Sequence, residues 1–424
     1  MPVTGQSRQL FGLKGIHFIC WVVFLVAFAP PIVNALASKI QSGRTLQEER
    51  DFVFFYSMGR MLNEYPAARL YDFDLQKKVE MDVMPLKNGR QYTPNPYPPF
   101  VAVLFRPFAK LPFSTAYPLW LFITLTLYVS GLAVMTRTFF AGDVLRQSLI
   151  FCFALSYSPF LWIMTGGQIS IIGFTGFVLA FCLEKRGRFF LSGLGLAVCI
   201  YKPTLLLLML PMLLITRRFR TLFGFTVGTS IVAAIATVFN GVDVWSGYAR
   251  MLFGFGSAAV NSHGYRVLDY YIDLAAFSSL LPGGRSPLGG VVLLAGAGLA
   301  AFFLFGAWRQ HIRSGRPADS TLVWAATLTW TFILNLYVPI YDTVSLVVAV
   351  IATASVFQNL PDERFNRRFR FTWIAISIGA WVTIDVTRSI GIQLLTVLVA
   401  VLGTLQLTGC QQIGRAPVTF SKQG

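Results

Sequence analysis

Residues 189–216 read FFLSGLGLAVCIYKPTLLLLMLPMLLIT, an apolar run whose one charged residue is Lys202, followed at once by Pro203. A helix needs roughly 20 apolar residues to cross a bilayer, and each half of this run, 189–201 and 204–216, falls short of that. Proline removes a helix donor and frees a carbonyl. Inside a membrane such a break survives only where protein or a water-filled cavity covers the freed groups. The segment therefore predicts an integral membrane protein with a broken helix and a buried ammonium at the break.

Similar apolar runs recur on both sides. The chain has 424 residues, of which 55% are hydrophobic and 12% charged, which excludes an ordinary soluble domain. Twelve spans are expected, near 15–37, 115–136, 147–164, 169–184, 189–201, 204–216, 220–239, 288–308, 320–338, 340–357, 371–387 and 389–409. The run 15–37 is too long for a signal-peptide core and reads as a retained first span. The formal charge of +17 does not indicate nucleic acid, because the basic residues sit in short loops between apolar runs. With twelve spans, the clusters at Arg8 and Lys14, Arg137 and Arg146, Lys185-Arg186, Arg217-Arg218, Arg309 and Arg313, Arg367-Arg368 and Arg415 fall on one side. That side is read as cytoplasmic, with both termini there. The five cysteines lack metal or CxxC spacing and read as small hydrophobes.

Two long loops then lie on the outer side, about 38–114 and 240–287. Long loops are commonly functional. In the first, residues 47–64 have helical apolar spacing, with Phe55, Met58 and Leu62 on the face of Asp51. An amphipathic helix lying on the membrane is expected, with Asp51 near its N-terminus, where negative charge is favoured. The stretch from Tyr97-Pro98-Pro99 to Leu111-Pro112 is apolar, short and proline-bounded, and reads as a re-entrant or interfacial piece.

Several residues are candidates for chemistry, each with a plainer reading beside it. Asp51, among Phe52, Phe54 and Phe55, suits a general base, or else a helix cap or a partner of Arg50. Lys202 suits a phosphate-binding point charge, or else a lysine reaching for the interface. Gly166-Gly167-Gln168 reads as a tight turn whose amide binds a sugar hydroxyl or caps the turn. His263, in Asn261-Ser262-His263 with Arg266 and Asp269 nearby, is the one histidine placed outside. Asp342 lies near the outer end of a span, where an acid is costly. Arg106 suits a phosphate or lipid headgroups. Asp72-Phe73-Asp74 has the DxD form of nucleotide-sugar enzymes, but no nucleotide-binding α/β pattern surrounds it. No P-loop, dinucleotide fingerprint, HExxH or GxSxG occurs.

The order of these elements carries a resemblance. Asp51-Phe52-Val53-Phe54-Phe55-Tyr56 is followed by Leu70-Tyr71, Tyr97-Pro98-Pro99, Pro107, Leu111-Pro112 and Trp120. Gly167-Gln168, Arg186-Gly187-Arg188, Gly193 to Gly195, Lys202-Pro203 and Arg217-Arg218 come next. This order resembles glycosyltransferase family 87 (domain of unknown function 2029), GT-C-type enzymes that include polyprenyl-phosphate-mannose-dependent α-mannosyltransferases. It is clearest from residue 15 to about 240, with Asn261-Ser262 and Tyr341-Asp342 similar beyond.

The resemblance implies an all-α polytopic membrane protein of GT-C-like architecture, forming one domain in a bacterial inner membrane. It implies an inverting hexosyltransferase working on the periplasmic face, with a polyprenyl-phosphate sugar as donor and a glycolipid or glycan as acceptor. Asp51 would be the base. Lys202 and Arg106 would hold the donor phosphate, and Tyr56, Tyr97, Gln168, His263 and Asp342 would contact substrate. Neither a metal nor a cofactor is expected; the lipid-linked sugar is a co-substrate, and membrane lipids are the other partners. At 337–342 the chain reads Tyr-Val-Pro-Ile-Tyr-Asp, without the histidine some members carry there. Two other classes fit the residues: a transporter or flippase of a lipid-linked or small solute, and a non-catalytic envelope assembly partner.

Overall fold

The computed structural model describes residues 51–84, 95–262, 268–281, 286–314, 317–358, 360 and 363–415. The expected span 15–37 and His263 lie outside these. Among the described residues all regular structure is helical, apart from one isolated antiparallel bridge between Tyr271 and Pro339.

Among the described residues, the first long loop holds three α-helices, α1 (Phe52–Glu64), α2 (Phe73–Val83) and α3 (Pro99–Phe105). The bundle follows: α4 (Phe113–Phe139), α5 (Val144–Leu155), α6 (Ser158–Gly166), α7 (Ser170–Lys185), α8 (Phe189–Ala197), α9 (Met209–Ile215) and α10 (Phe219–Asn240). The second long loop contains α11 (Asp243–Ser262) and α12 (Leu274–Leu280). The chain closes with α13 (Pro287–Ser314), α14 (Pro317–Ile333), α15 (Leu346–Phe357), α16 (Glu363–Ile390) and α17 (Leu394–Arg415).

Among the described residues, six helical segments are long and apolar enough to cross a membrane singly, and the pair α5 and α6, bent by 52°, makes up to seven. Each expected span beyond residue 115 is occupied by a helix or a helix pair, but α7, α14 and the broken run 189–215 are short of a crossing by themselves. The exposed surface is apolar where lipid would meet it. In α13, Leu288, Val291, Val292, Leu294 and Phe302 are each more than half exposed. Such a stripe is untenable in water and natural against acyl chains. By contrast, 83% of the most apolar stretch of Ile340–Phe357 is buried, so it forms the centre of the bundle.

The expected break is present. The chain leaves the α conformation at Val198, passes through 3-10 turns at Val198–Tyr201 and Pro203–Leu206, and has Lys202 at φ −137°, ψ 82° between them. Asn335 Nδ2 donates to the Thr204 carbonyl at 2.8 Å, so protein satisfies one of the freed groups. The half before the break rests on α10 at backbone contact. A Cβ on Gly224 would lie 2.0 Å from the Phe190 carbonyl oxygen, and one on Gly193 2.0 Å from that of Thr221. Small residues allow this approach, as in membrane helix pairs generally.

The helix α1 differs from its expectation. It does not lie on a surface by one apolar face. Phe52, Val53, Phe55, Tyr56, Met58, Met61 and Leu62 are all buried, walled in by α2, α3 and the turn Phe108–Lys110. The small Ser57 and Gly59 complete the remaining sides, so an uneven apolar pattern still buries almost all round.

Candidate active site

Asp51 stands at the head of α1 and is half-buried. It occupies the cap position, but its side chain makes no capping bond. Instead Asp51 Oδ2 accepts a hydrogen bond from Gln168 Nε2. Its backbone is anchored by its neighbour. The fully buried Phe52 ring meets five others: Tyr117 at 5.5 Å, Phe113 at 5.6 Å, Phe105 at 5.9 Å, Tyr56 at 6.2 Å and Trp120 at 6.4 Å. Aromatic pairs at these separations add attraction beyond the area they bury.

Gln168 is delivered by a turn that the sequence marked. Gly167 has φ +68°, a left-handed value that glycine adopts without strain. A Cβ there would also come within 2.7 Å of Phe52 Cβ. Trp120 Nε1 donates to the Gly167 carbonyl at 3.0 Å, locking the turn to the aromatic cluster. Gln168 Oε1 is buried without a hydrogen-bond partner.

Two residues further on, Ser170 opens α7 and donates to Asp342 Oδ1 at 2.5 Å. Asp342 Oδ2 takes the Lys202 ammonium in an ion pair with side chains 1% and 11% exposed. Lys202 Nζ also lies 4.8 Å from the Tyr337 ring centroid, a favourable cation–π placement. The stretch 168–170 thus touches both carboxylates, Asp51 through Gln168 and Asp342 through Ser170. Tyr97 lies beside them, its ring stacked on Tyr201 at 6.4 Å and 14°. Burial, and then the nearby carboxylates of Asp342 and Asp51, push the Tyr97 phenol well above its usual range.

Other expected residues are placed elsewhere. The Tyr56 hydroxyl donates to the Leu111 carbonyl at 2.8 Å and ties α1 to the proline-bounded piece. Arg106 and Asn63 form a reciprocal pair, Arg106 Nε to Asn63 Oδ1 and Asn63 Nδ2 to the Arg106 carbonyl, both at 3.1 Å. Asn63 is twelve residues along α1 from Asp51, about 18 Å at 1.5 Å per residue. Asp72 accepts from Leu75 N at 3.1 Å and pairs with Arg69 at 2.7 Å, so the DxD spacing here makes a helix cap.

One carboxyl was not singled out from sequence. Glu80 on α2 is 5% exposed, and burial, with a smaller push from Asp51, raises it to about 8. Its neighbours Lys77, Lys78 and Asp82 make the segment look solvated. The stripe Leu75, Gln76, Val79, Glu80 at helical spacing was the available signal, and those four are the buried residues of the helix.

A family model for glycosyltransferase family 87 matches residues 95–334. No curated protein and no solved structure matches the chain. The matched stretch contains Gln168, Ser170 and Lys202, and their partners Asp51 and Asp342 flank it on either side. Since the match spans more than half of the chain, the protein belongs to glycosyltransferase family 87.

Proposed function

We propose that this membrane glycosyltransferase moves a hexose, mannose before others, from a polyprenyl phosphate to a hydroxyl of a glycolipid or glycan, with inversion, on the periplasmic side of a bacterial inner membrane. The observation that carries the reading is the junction at 168–170, which touches a half-buried carboxylate on one side and a buried lysine–aspartate pair on the other. A base and a phosphate-binding cation within one site are what such a transfer needs.

In this reading Asp51 accepts the proton of the acceptor hydroxyl while that oxygen forms its bond to the anomeric carbon. The bond from the anomeric carbon to the phosphate oxygen breaks, and the polyprenyl phosphate leaves with the electron pair. Lys202 stabilises the charge that develops on it. The ammonium is held by Asp342 before any donor arrives, so it is oriented in advance. Gln168 keeps Asp51 turned toward the site, and its unpartnered Oε1 is free to accept from a sugar hydroxyl. A nearly apolar cavity of about 200 Å³, lined by Pro98, Phe100, Ile200, Pro203, Trp245 and Tyr248, borders the Lys202-Pro203 break. It suits the first isoprene units of the donor. Arg106, set apart by its pairing with Asn63, is left to lipid headgroups.

The test is transfer from radiolabelled polyprenyl-phosphate mannose to membrane glycolipid by purified wild-type protein and Asp51→Asn. Product from the wild type alone supports both donor and base. Equal product from the two removes Asp51 from the mechanism. No product from either, with other polyprenyl-phosphate sugars also inert, directs attention to movement of the lipid-linked donor itself, which the broken run 189–215 would suit.

A further inference from the structure

The far end of α7 from Ser170 opens on a second cavity, about 22 Å away by the rise of the helix. Its volume is about 310 Å³, and Glu184, Lys185, Phe189, Arg218, His311 and Ser320 are among its lining residues. They come from the ends of five helices, α7, α8, α10, α13 and α14. Nothing in the proposed transfer uses this cavity.

Arg218 organises it. Its Nη2 meets Ser320 Oγ at 3.0 Å and His311 Nε2 at 3.3 Å. Its Nε lies 3.5 Å from Glu184 Oε1, and its guanidinium carbon 5.2 Å from the Phe189 ring centroid. Arg218 is three-quarters buried, and the Glu184 side chain is 8% exposed. Lys185 and Arg218 outnumber the one acid, Glu184, so the lining is positive on balance. The exposed Arg186, Arg188, Arg217, Arg220, Arg309 and Arg313 each lie within two residues in sequence of a lining residue. Beside it runs an exposed apolar seam in which Phe190 and Phe223 pair at 5.7 Å, with Phe219 and Leu214 also exposed.

An ordinary basic rim keeps its cations in water. Here one arginine is drawn between five helix ends, a cavity stays open next to it, and exposed aromatics lie close by in sequence. We infer that this cavity takes the phosphodiester headgroup of an anionic membrane lipid, with the acyl chains lying along the Phe190–Phe223 seam. A basic pocket between spans on the positively charged side is a physically apt headgroup site. A negative phosphodiester matches the positive lining, and Ser320 and Lys185 supply donors beyond Arg218.

The test is native mass spectrometry of the full chain in detergent, titrated with phosphatidylglycerol and, separately, phosphatidylcholine. Phosphatidylglycerol should be retained preferentially. Lys185→Gln, at an exposed position, should weaken that retention by about fivefold, as expected for one cation at an anionic surface. Arg218→Gln should weaken it further. Should Arg218→Gln fail to fold, Lys185→Glu supplies the second reading, and Arg388→Gln, in the last turn of α16 where Arg388 pairs with Asp269 at 2.6 Å, is the control. Equal retention of the two lipids, or phosphatidylglycerol binding unchanged in Lys185→Gln and Lys185→Glu, overturns the inference. So does thermal stabilisation by inorganic phosphate that phosphatidylglycerol does not reproduce, which would mark a site for a free anion.

Discussion

Replacing Asp342 by alanine should cost far more than the loss of one hydrogen bond. The Asp342 carboxylate is 1% exposed and takes both the Lys202 ammonium and Ser170 Oγ. Its removal leaves an ammonium that is 11% exposed with no counter-ion at that position. Breaking a buried pair by deleting one partner costs about 3–5 kcal/mol, because the other charge stays desolvated. Lys202→Met should cost a similar amount by stranding the carboxylate. The double variant Lys202→Met with Asp342→Leu strands neither charge, so it should lie within about 2 kcal/mol of the parent. The coupling between the sites should therefore reach about 4 kcal/mol or more. Reversible unfolding in mixed micelles, driven by a rising fraction of denaturing detergent and followed by tryptophan fluorescence, measures all four proteins. If the two single losses simply add, with coupling below about 0.5 kcal/mol, the pair is not the closed unit described above. Activity gives an independent reading: the double variant, though stable, should not transfer sugar.

Asp51→Asn should lower transfer by about 10²–10⁴ while leaving the unfolding midpoint unchanged, since the amide keeps the size of the side chain and can still accept from Gln168. Glu80 rises from an ordinary 4.5 to about 8 on folding, so the folded protein holds a proton that the unfolded chain has lost between those values. Its contribution to stability is full below about pH 4.5 and disappears as pH climbs through 8. Thermal midpoints of Glu80→Gln across that range should show a flatter decline than the wild type, and parallel profiles would contradict the burial argument. Gly224→Ala should destabilise by about 1–3 kcal/mol, because a Cβ there meets the Phe190 backbone at 2.0 Å; the same micelle titration reads it. Trp120→Phe removes the donor to Gly167 and should cost about 1–2 kcal/mol, with a reduced transfer rate as Gln168 loosens.

Much of the helical layout was legible because lipid imposes a simple rule of length and hydropathy on every crossing segment. The Lys202-Pro203 break and the Gly166-Gly167-Gln168 turn were legible for a local reason: proline and glycine declare backbone geometry without reference to the rest of the chain. The pairings were not. Asp51 finds Gln168 across 117 residues and Lys202 finds Asp342 across 140, and no periodicity reports such meetings. Ser170 passed unnoticed because a hydroxyl at a helix start usually caps its own helix. Tyr56 was expected to face substrate and instead spends its hydroxyl on a carbonyl at Leu111, a partner visible only after the outer loop folds back on itself. Similarly, α1 looked amphipathic because a pattern records which side chains are apolar, not how many walls will surround them.

The 140 residues between Lys202 and Asp342 also have a meaning in time. At 5–20 residues per second, a ribosome needs roughly 7–28 s to deliver the counter-ion after the lysine has emerged. Throughout that interval the nascent segment 189–215 carries an ammonium with no carboxylate to meet it and is too short in either half to settle across a bilayer. The final placement of the broken segment should therefore follow the arrival of residue 342. In chains truncated before residue 342, a cysteine introduced into this segment should stay open to a water-soluble thiol reagent, whereas in chains released beyond it that cysteine should be protected. On this reasoning the Lys202–Asp342 pair also orders the completion of the helical bundle.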